Sequence, residues 1–229
     1  MLHSIIDGWR GAGGRRRRPG LLAALDERTP GCSGAFVFGA IAGVQKSGGM
    51  AAYIDVSQRL DIGEAVSAGV DAGSIVFSQP DSAESALSIC ASLVESGAID
   101  LVVVDSAASM ASEEEMDIFP ADEDEAPPAI DLLVADISEA AAKTGATCLF
   151  TGMEPTAAGR EPNASTRELR RKVACSIAVS SDGKEVKVEV TERKFRFFAT
   201  KSVFNLPVLP RTGRMRDDAA RQRTPANMV

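Results

Sequence analysis

Asp105 closes the run LVVVD and is followed by the small residues SAAS. Four aliphatic side chains in a row, three of them β-branched, suit a parallel strand buried on both faces. A carboxylate at the carboxyl end of such a strand can hold phosphate-bound Mg²⁺, and it can equally cap the turn that follows. Two further groups of residues have the types for nucleic-acid chemistry. Arg160, Arg167, Arg170, Arg171 and Lys172 crowd GREPNASTRELRRKV, and Arg193, Lys194, Arg196 and Lys201 alternate with phenylalanines in ERKFRFFATK. Basic residues beside aromatics can bind single strands, although Phe195, Phe197 and Phe198 serve equally as strand core. Residues 113–125 carry eight carboxylates and no basic group, a stretch that repels phosphates and reads as a solvated loop or a docking strip for a basic partner. The sole histidine, His3, lies in a terminal segment, so neither a Ser-His triad nor a histidine metal site can be assembled from one chain.

The elements that position these residues alternate along the chain. GLLAALDE reads as a strand, GAFVFGAIAGVQKSGG as an apolar helix closed by glycines, MAAYIDVS as a strand, DIGEAVSAGV as a short helix and SIVFSQP as a strand stopped by Pro80. DSAESALSICASLVESG opens with an Asp/Ser cap and repeats apolar residues at helical spacing through Ala86, Leu87, Cys90, Leu93 and Val94. After the Asp105 strand come the acidic loop, a helix over 129–144, the strand TCLFTGM, a polar segment, and a hairpin turning at Asp182-Gly183. Repeated strand-helix-strand units predict an α/β fold with a mainly parallel central sheet, helices on both faces and a C-terminal antiparallel hairpin. With 229 residues, 45% hydrophobic, the chain can close one substantial core, placed at 20–209. Residues 1–19 read as an N-terminal segment with an Arg-rich linker, and 210–229 as a basic, disordered tail. A net charge of −7 argues against a protein that coats nucleic acid generally. The four cysteines form no CxxC pair, and no apolar stretch approaches a membrane span, so a reducing cytoplasm is expected and no membrane partner.

VFSQPDSAESALSICASLVESGAIDLVVVDSAASM closely resembles the core of the RecA recombinases, and the resemblance extends back through GLLAALDERTPGCSGAFVFGAIAGVQKSGGMAAYIDVSQRLD and more weakly forward to VEVTERKFRFF, covering about 20–205. It implies a RecA-like core with a degenerate nucleotide site. The family's phosphate loop needs GxxxxGK[ST], glycines for the curl of backbone N–H groups, Lys for charge and a hydroxyl for Mg²⁺. In this register the chain reads Glu27-Arg28-Thr29-Pro30-Gly31-Cys32-Ser33-Gly34. Glu27 replaces the first Gly, Cys32 the second, Ser33 the Lys and Gly34 the hydroxyl residue; Pro30 removes a donor and Glu27 sets a carboxylate near a polyanion. The water-activating glutamate corresponds to Ser57, the adenine-stacking aromatic to Glu64, the phosphate-sensing Gln to Met153, and one of two lysines reaching a neighbour's nucleotide to Glu192, with Lys194 kept. Asp105 is then expected to be a remnant that holds no metal, with no cofactor and no catalysis.

Within the superfamily the chain is most similar to the ImuA family of mutasome accessory proteins, sometimes grouped with the SulA division inhibitors. The resemblance omits the N-terminal helix by which recombinase subunits link and the C-terminal DNA-gathering domain. It implies a noncatalytic adaptor in damage-induced mutagenesis (translesion synthesis), docking an ImuB-type relative of the Y-family polymerases and, indirectly, an error-prone C-family DNA polymerase. Contact with RecA or DNA is a weaker expectation. The expected docking surface is the outer face of the helix at 82–96, with Leu87 and Leu93, receiving a partner's helix or strand. A paralogue modulating RecA filaments on DNA, and a SulA-like division inhibitor, are the alternatives.

Overall fold

A computed structural model describes residues 20–29, 31–109, 128–152, 164–193 and 203–207. Eight strands form one sheet in the order β3-β2-β4-β5-β1-β6-β7-β8. The strands are β1 (Leu21–Glu27), β2 (Ala51–Asp55), β3 (Ile75–Ser78), β4 (Leu101–Asp105), β5 (Thr147–Thr151), β6 (Cys175–Ser181), β7 (Glu185–Arg193) and β8 (Val203–Pro207). β3 through β6 run parallel across the sheet, whereas the β6-β7 and β7-β8 pairs are antiparallel. The helices are α1 (Ser33–Lys46), α2 (Ile62–Ser67), α3 (Ala83–Glu95), α4 (Pro128–Thr144) and α5 (Ala164–Lys172). The predicted fold class and the hairpin are therefore observed. Its turn uses Gly183 at φ 89°, a conformation costly for residues with a Cβ. The Asp182 carboxylate accepts the N–H groups of Lys184 and Glu185, each at 2.9 Å.

The buried central strands have side chains on two faces, which is why their sequences read as continuous apolar runs. One face packs Leu22, Ile54, Val102, Val104 and Phe150 under α3 and α4 through Leu87, Cys90, Val94, Val134 and Ile137. The other packs Leu25, Tyr53, Val103 and Leu149 under α1 through Phe36, Val37 and Ile41. Each fully buried Leu, Ile or Phe here contributes about 1.5–3 kcal/mol. Ser82 caps α3, its side chain accepting the Ser85 N–H, in agreement with the cap read from the sequence. No helix among the described residues is long and apolar enough to cross a membrane.

Two readings change. The polar segment after β5 contains a helix, α5, where only a basic loop region was expected. Leu87 is fully buried in the core and cannot meet a partner, while Leu93 is partly buried and packs against the same core. The reason is that α3 packs both on the sheet and against α4 beside it, so its apolar stripe is consumed by the two together. The four cysteines are free and buried, as expected of thiols in apolar surroundings.

Candidate functional site

The carboxyl ends of β1, β2, β4 and β5 bring the sequence's candidate residues together. Asp55 and Asp105 end adjacent parallel strands and face each other in the β2-β4 register. Asp105 accepts the Tyr53 hydroxyl at 2.5 Å on Oδ2 and the Thr151 hydroxyl on Oδ1. Burial first, and then the Asp105 charge, push the Tyr53 phenol far above its ordinary value, so Tyr53 stays a donor. Both oxygens of the carboxylate that would hold Mg²⁺ are thus engaged by protein hydroxyls. Asp55 is fully buried and accepts four donors: Ser57 Oγ, the Arg59 N–H and the Leu60 N–H at 3.1 Å each, and Gln79 Nε2 at 3.2 Å. Four donors from the loop after β2 and from β3's end make Asp55 the peg that fixes that loop. Ser57, the expected position of a water-activating group, spends its hydroxyl on Asp55 and its N–H on the Asp105 carbonyl at 3.0 Å.

The phosphate-loop counterpart is closed in another way. Glu27 Oε1 accepts the backbone N–H groups of Cys32 at 2.7 Å and Ser33 at 2.8 Å. Those N–H groups open α1, whose N-cap residue Cys32 provides no side-chain cap of its own. The Cys32 thiol is pushed up by burial and by the Glu27 charge, which keeps it neutral and unreactive. Arg28 turns away from the loop to Glu189 on β7 at 3.6 Å, and its N–H donates to the Val179 carbonyl at 2.8 Å. Thr29 Oγ1 accepts the Ser181 N–H at 3.1 Å, tying the loop to β6. Gly31 has φ 82°, and Pro30 lies outside the described residues. The Glu64 carboxylate stands over the same turn, with Oε1 2.9 Å from where a Cβ on Gly34 would be. The cation within Glu27–Gly34, Arg28, is directed to Glu189 instead of into the loop, and two carboxylates oppose a polyphosphate. The residues present do not fit a Mg²⁺-nucleotide. Among the described residues no cluster of three His, Cys, Asp or Glu is arranged to hold a metal.

The basic candidates are divided. Arg170 pairs with the buried Asp26 at 3.0 Å, and Lys172 with Asp131 on α4 at 3.2 Å. Thr166 on the same helix donates to the Ala107 carbonyl at 2.9 Å. α5 is therefore pinned to β1, to α4 and to the turn after Asp105. Arg170 thus braces a buried carboxylate, whereas the Lys172–Asp131 pair is exposed. Arg167 is half-buried and Arg171 exposed on α5, and Arg193 ends β7 in register with Cys175. Arg160, Lys194, Arg196, Lys201 and Met153 fall outside the described residues, as do 113–125 and His3.

The other notable feature is the sheet edge at β3. Among the described residues β3 pairs with β2 on one side only. Its Val76 and Phe77 are 36% and 45% exposed. Sequence reading took SIVFSQP for an ordinary strand and missed the open edge, because an apolar run looks alike in the middle of a sheet and at its rim. Tyr53 and Thr151 were missed too: Tyr53 is the middle residue of β2 and Thr151 the last of β5, and no spacing in the sequence ties either to Asp105.

Residues 28–129 match the family of RecA N-terminal domains. The chain is 52% identical over 77 residues to Protein RecA of Heliobacterium modesticaldum, 34% of this chain and 22% of that protein. It is 51% identical over 77 residues to Protein RecA of Clostridium novyi, with the same shares. Against Protein RecA of Streptococcus pyogenes serotype M5 it is 47% identical over 78 residues, 34% of this chain and 21% of that protein. The matched part thus spans about a fifth of the length of these relatives. Homology to a RecA-like domain and a sheet of this order agree with one another: the fold is a RecA-like α/β core.

Proposed function

We propose that the protein is a noncatalytic, cytoplasmic RecA-like adaptor in damage-induced mutagenesis, of the ImuA type, that docks an ImuB-type polymerase relative and through it an error-prone C-family polymerase. The observation that carries the reading is the open apolar edge at β3, where Val76 and Phe77 project from a strand with one side unpaired among the described residues. Edge strands of this kind accept an extended peptide, whose main chain supplies hydrogen bonds while alternate side chains find apolar contacts on the two faces. The exposed carboxylates of Asp71 and Asp81 flank the strand, so the fitting occupant is an apolar segment with basic flanks. This moves the docking surface from the outer face of α3 to the edge strand. Engagement of Asp105 by Tyr53 and Thr151, and of the α1 N–H groups by Glu27, supports the absence of nucleotide chemistry.

Two measurements test the reading. Pull-down of an ImuB-type partner by the full chain should be lost in Phe77→Asp and Val76→Asp variants whose melts are unchanged; retained capture by both would refute the site. Calorimetry with ATP-Mg²⁺ should show no heat, and saturable one-to-one binding would replace the adaptor with a nucleotide-switched recombinase paralogue.

A further inference from the structure

The mismatch between the loop and a nucleotide has a definite form. In a phosphate loop, backbone N–H groups at a helix start hold an anion that arrives from outside. Here the anion comes from the chain: one oxygen of Glu27, the last residue of β1, receives the Cys32 and Ser33 N–H groups at 2.7 and 2.8 Å. We propose that Glu27 is a built-in anion, an autoinhibitory contact that fills the phosphate position, holds the loop closed without ligand and excludes polyphosphate from it. The inference rests on the RecA-like register of residues 27–34 and is independent of the adaptor role.

Three features bear on it. α1 is 14 residues long, has no acidic residue in its first turn and has no side-chain cap from Cys32, so Glu27 supplies the anion at its positive end. The carboxylate is tethered five residues from the nearer N–H, so a free phosphate competes against an intramolecular ligand whose effective concentration is on the order of millimolar or more. Glu64, against Gly34, adds a second negative charge over the same turn. Removing one carboxylate therefore uncovers two N–H groups in a loop that β6 still holds through Arg28 and Thr29.

The test compares the full-length protein with Glu27→Ala and Glu27→Gln by amide hydrogen exchange at Cys32 and Ser33 and by melting with and without inorganic pyrophosphate. In the wild type the two amides should be protected and millimolar pyrophosphate should leave the melt unmoved. In Glu27→Ala their exchange should quicken by about tenfold, the loss expected for a removed cap, and pyrophosphate should raise the melting temperature and restore protection. Should Glu27→Ala fail to fold, Glu27→Gln carries the comparison, since it keeps the side chain's size and loses the charge. A Glu27→Gln variant whose melt pyrophosphate leaves unmoved, or a wild type that responds to pyrophosphate as strongly as a variant, overturns the proposal. Faster exchange with no rescue by pyrophosphate also overturns it and leaves Glu27 an ordinary helix cap.

Discussion

Two rims of the same sheet differ in how their polar groups are used. At the carboxyl ends of β1, β2, β4 and β5 each carboxylate is spoken for: Glu27 by two N–H groups, Asp55 by four donors, Asp105 by two hydroxyls and Asp26 by Arg170. At β3 the backbone is unpaired on its outer side among the described residues, and the side chains are apolar and exposed. A satisfied rim has little free energy to gain from a ligand, since a newcomer must first break bonds already made. An unsatisfied one gains both hydrogen bonds and apolar burial. On the proposed reading, recognition belongs to the β3 rim and the strand ends keep a structural task.

The largest effect should come from α3, where the contrast between core and interface was misjudged. Leu87→Ala should destabilise the fold by about 3 kcal/mol in denaturant titration, with the partner affinity per folded molecule unchanged. A mild loss, with capture abolished, would return the interface to that helix. Next, Arg170→Ala should cost about 2 kcal/mol, because it strips a partner from the buried Asp26. A change within about 0.5 kcal/mol would instead mark Arg170 as a surface residue available to DNA. Phe77→Asp should cost the partner complex at least about 1.4 kcal/mol, a tenfold loss in capture, and leave the fold nearly untouched.

The smallest effect concerns the hairpin. Asp182 lies below its ordinary range because the Glu185 N–H and then the Lys184 N–H bond its charged form. A lowered folded-state pKa means that its contribution is fully present above the unfolded-chain value, about 3.9, and disappears as pH falls through the lowered one. Asp182→Ala should therefore lower the melt slightly across the neutral region and flatten the acid limb of a melt-against-pH curve below about pH 4, where the two proteins converge. An identical acid limb would show that the turn does not sense its own aspartate.

Much of this was legible from residue order. Buried parallel strands announce themselves by unbroken aliphatic runs, and helix α3 by its spacing and its Ser82 cap. Helix α5 escaped notice because ASTRELRRK has few apolar positions: Leu169, with Val173 just beyond its end, reaches the core, while ion pairs do the rest of the anchoring. The role of Glu27 was out of reach for a different reason. Its replacement of a loop glycine could be read directly, but its partners are backbone N–H groups, which have no letter of their own. Leu87 and Leu93 occupy one apolar stripe in sequence, and only the position of α4 shows that the stripe is already covered.

The four-residue length of β3 bears on how the protein must be produced. An uncovered apolar edge invites pairing between copies, and a long flat one leads toward aggregation. IVFS is short, Pro80 follows two residues after it, and Asp71 and Asp81 stand as charged gatekeepers at either side. Such a strand tolerates a period without a partner but not indefinite accumulation in excess of one. On the proposed reading, co-expression of the docking partner should raise solubility at high concentration, and the shelf life of the isolated chain should be set by this rim before it is set by the melting of the core.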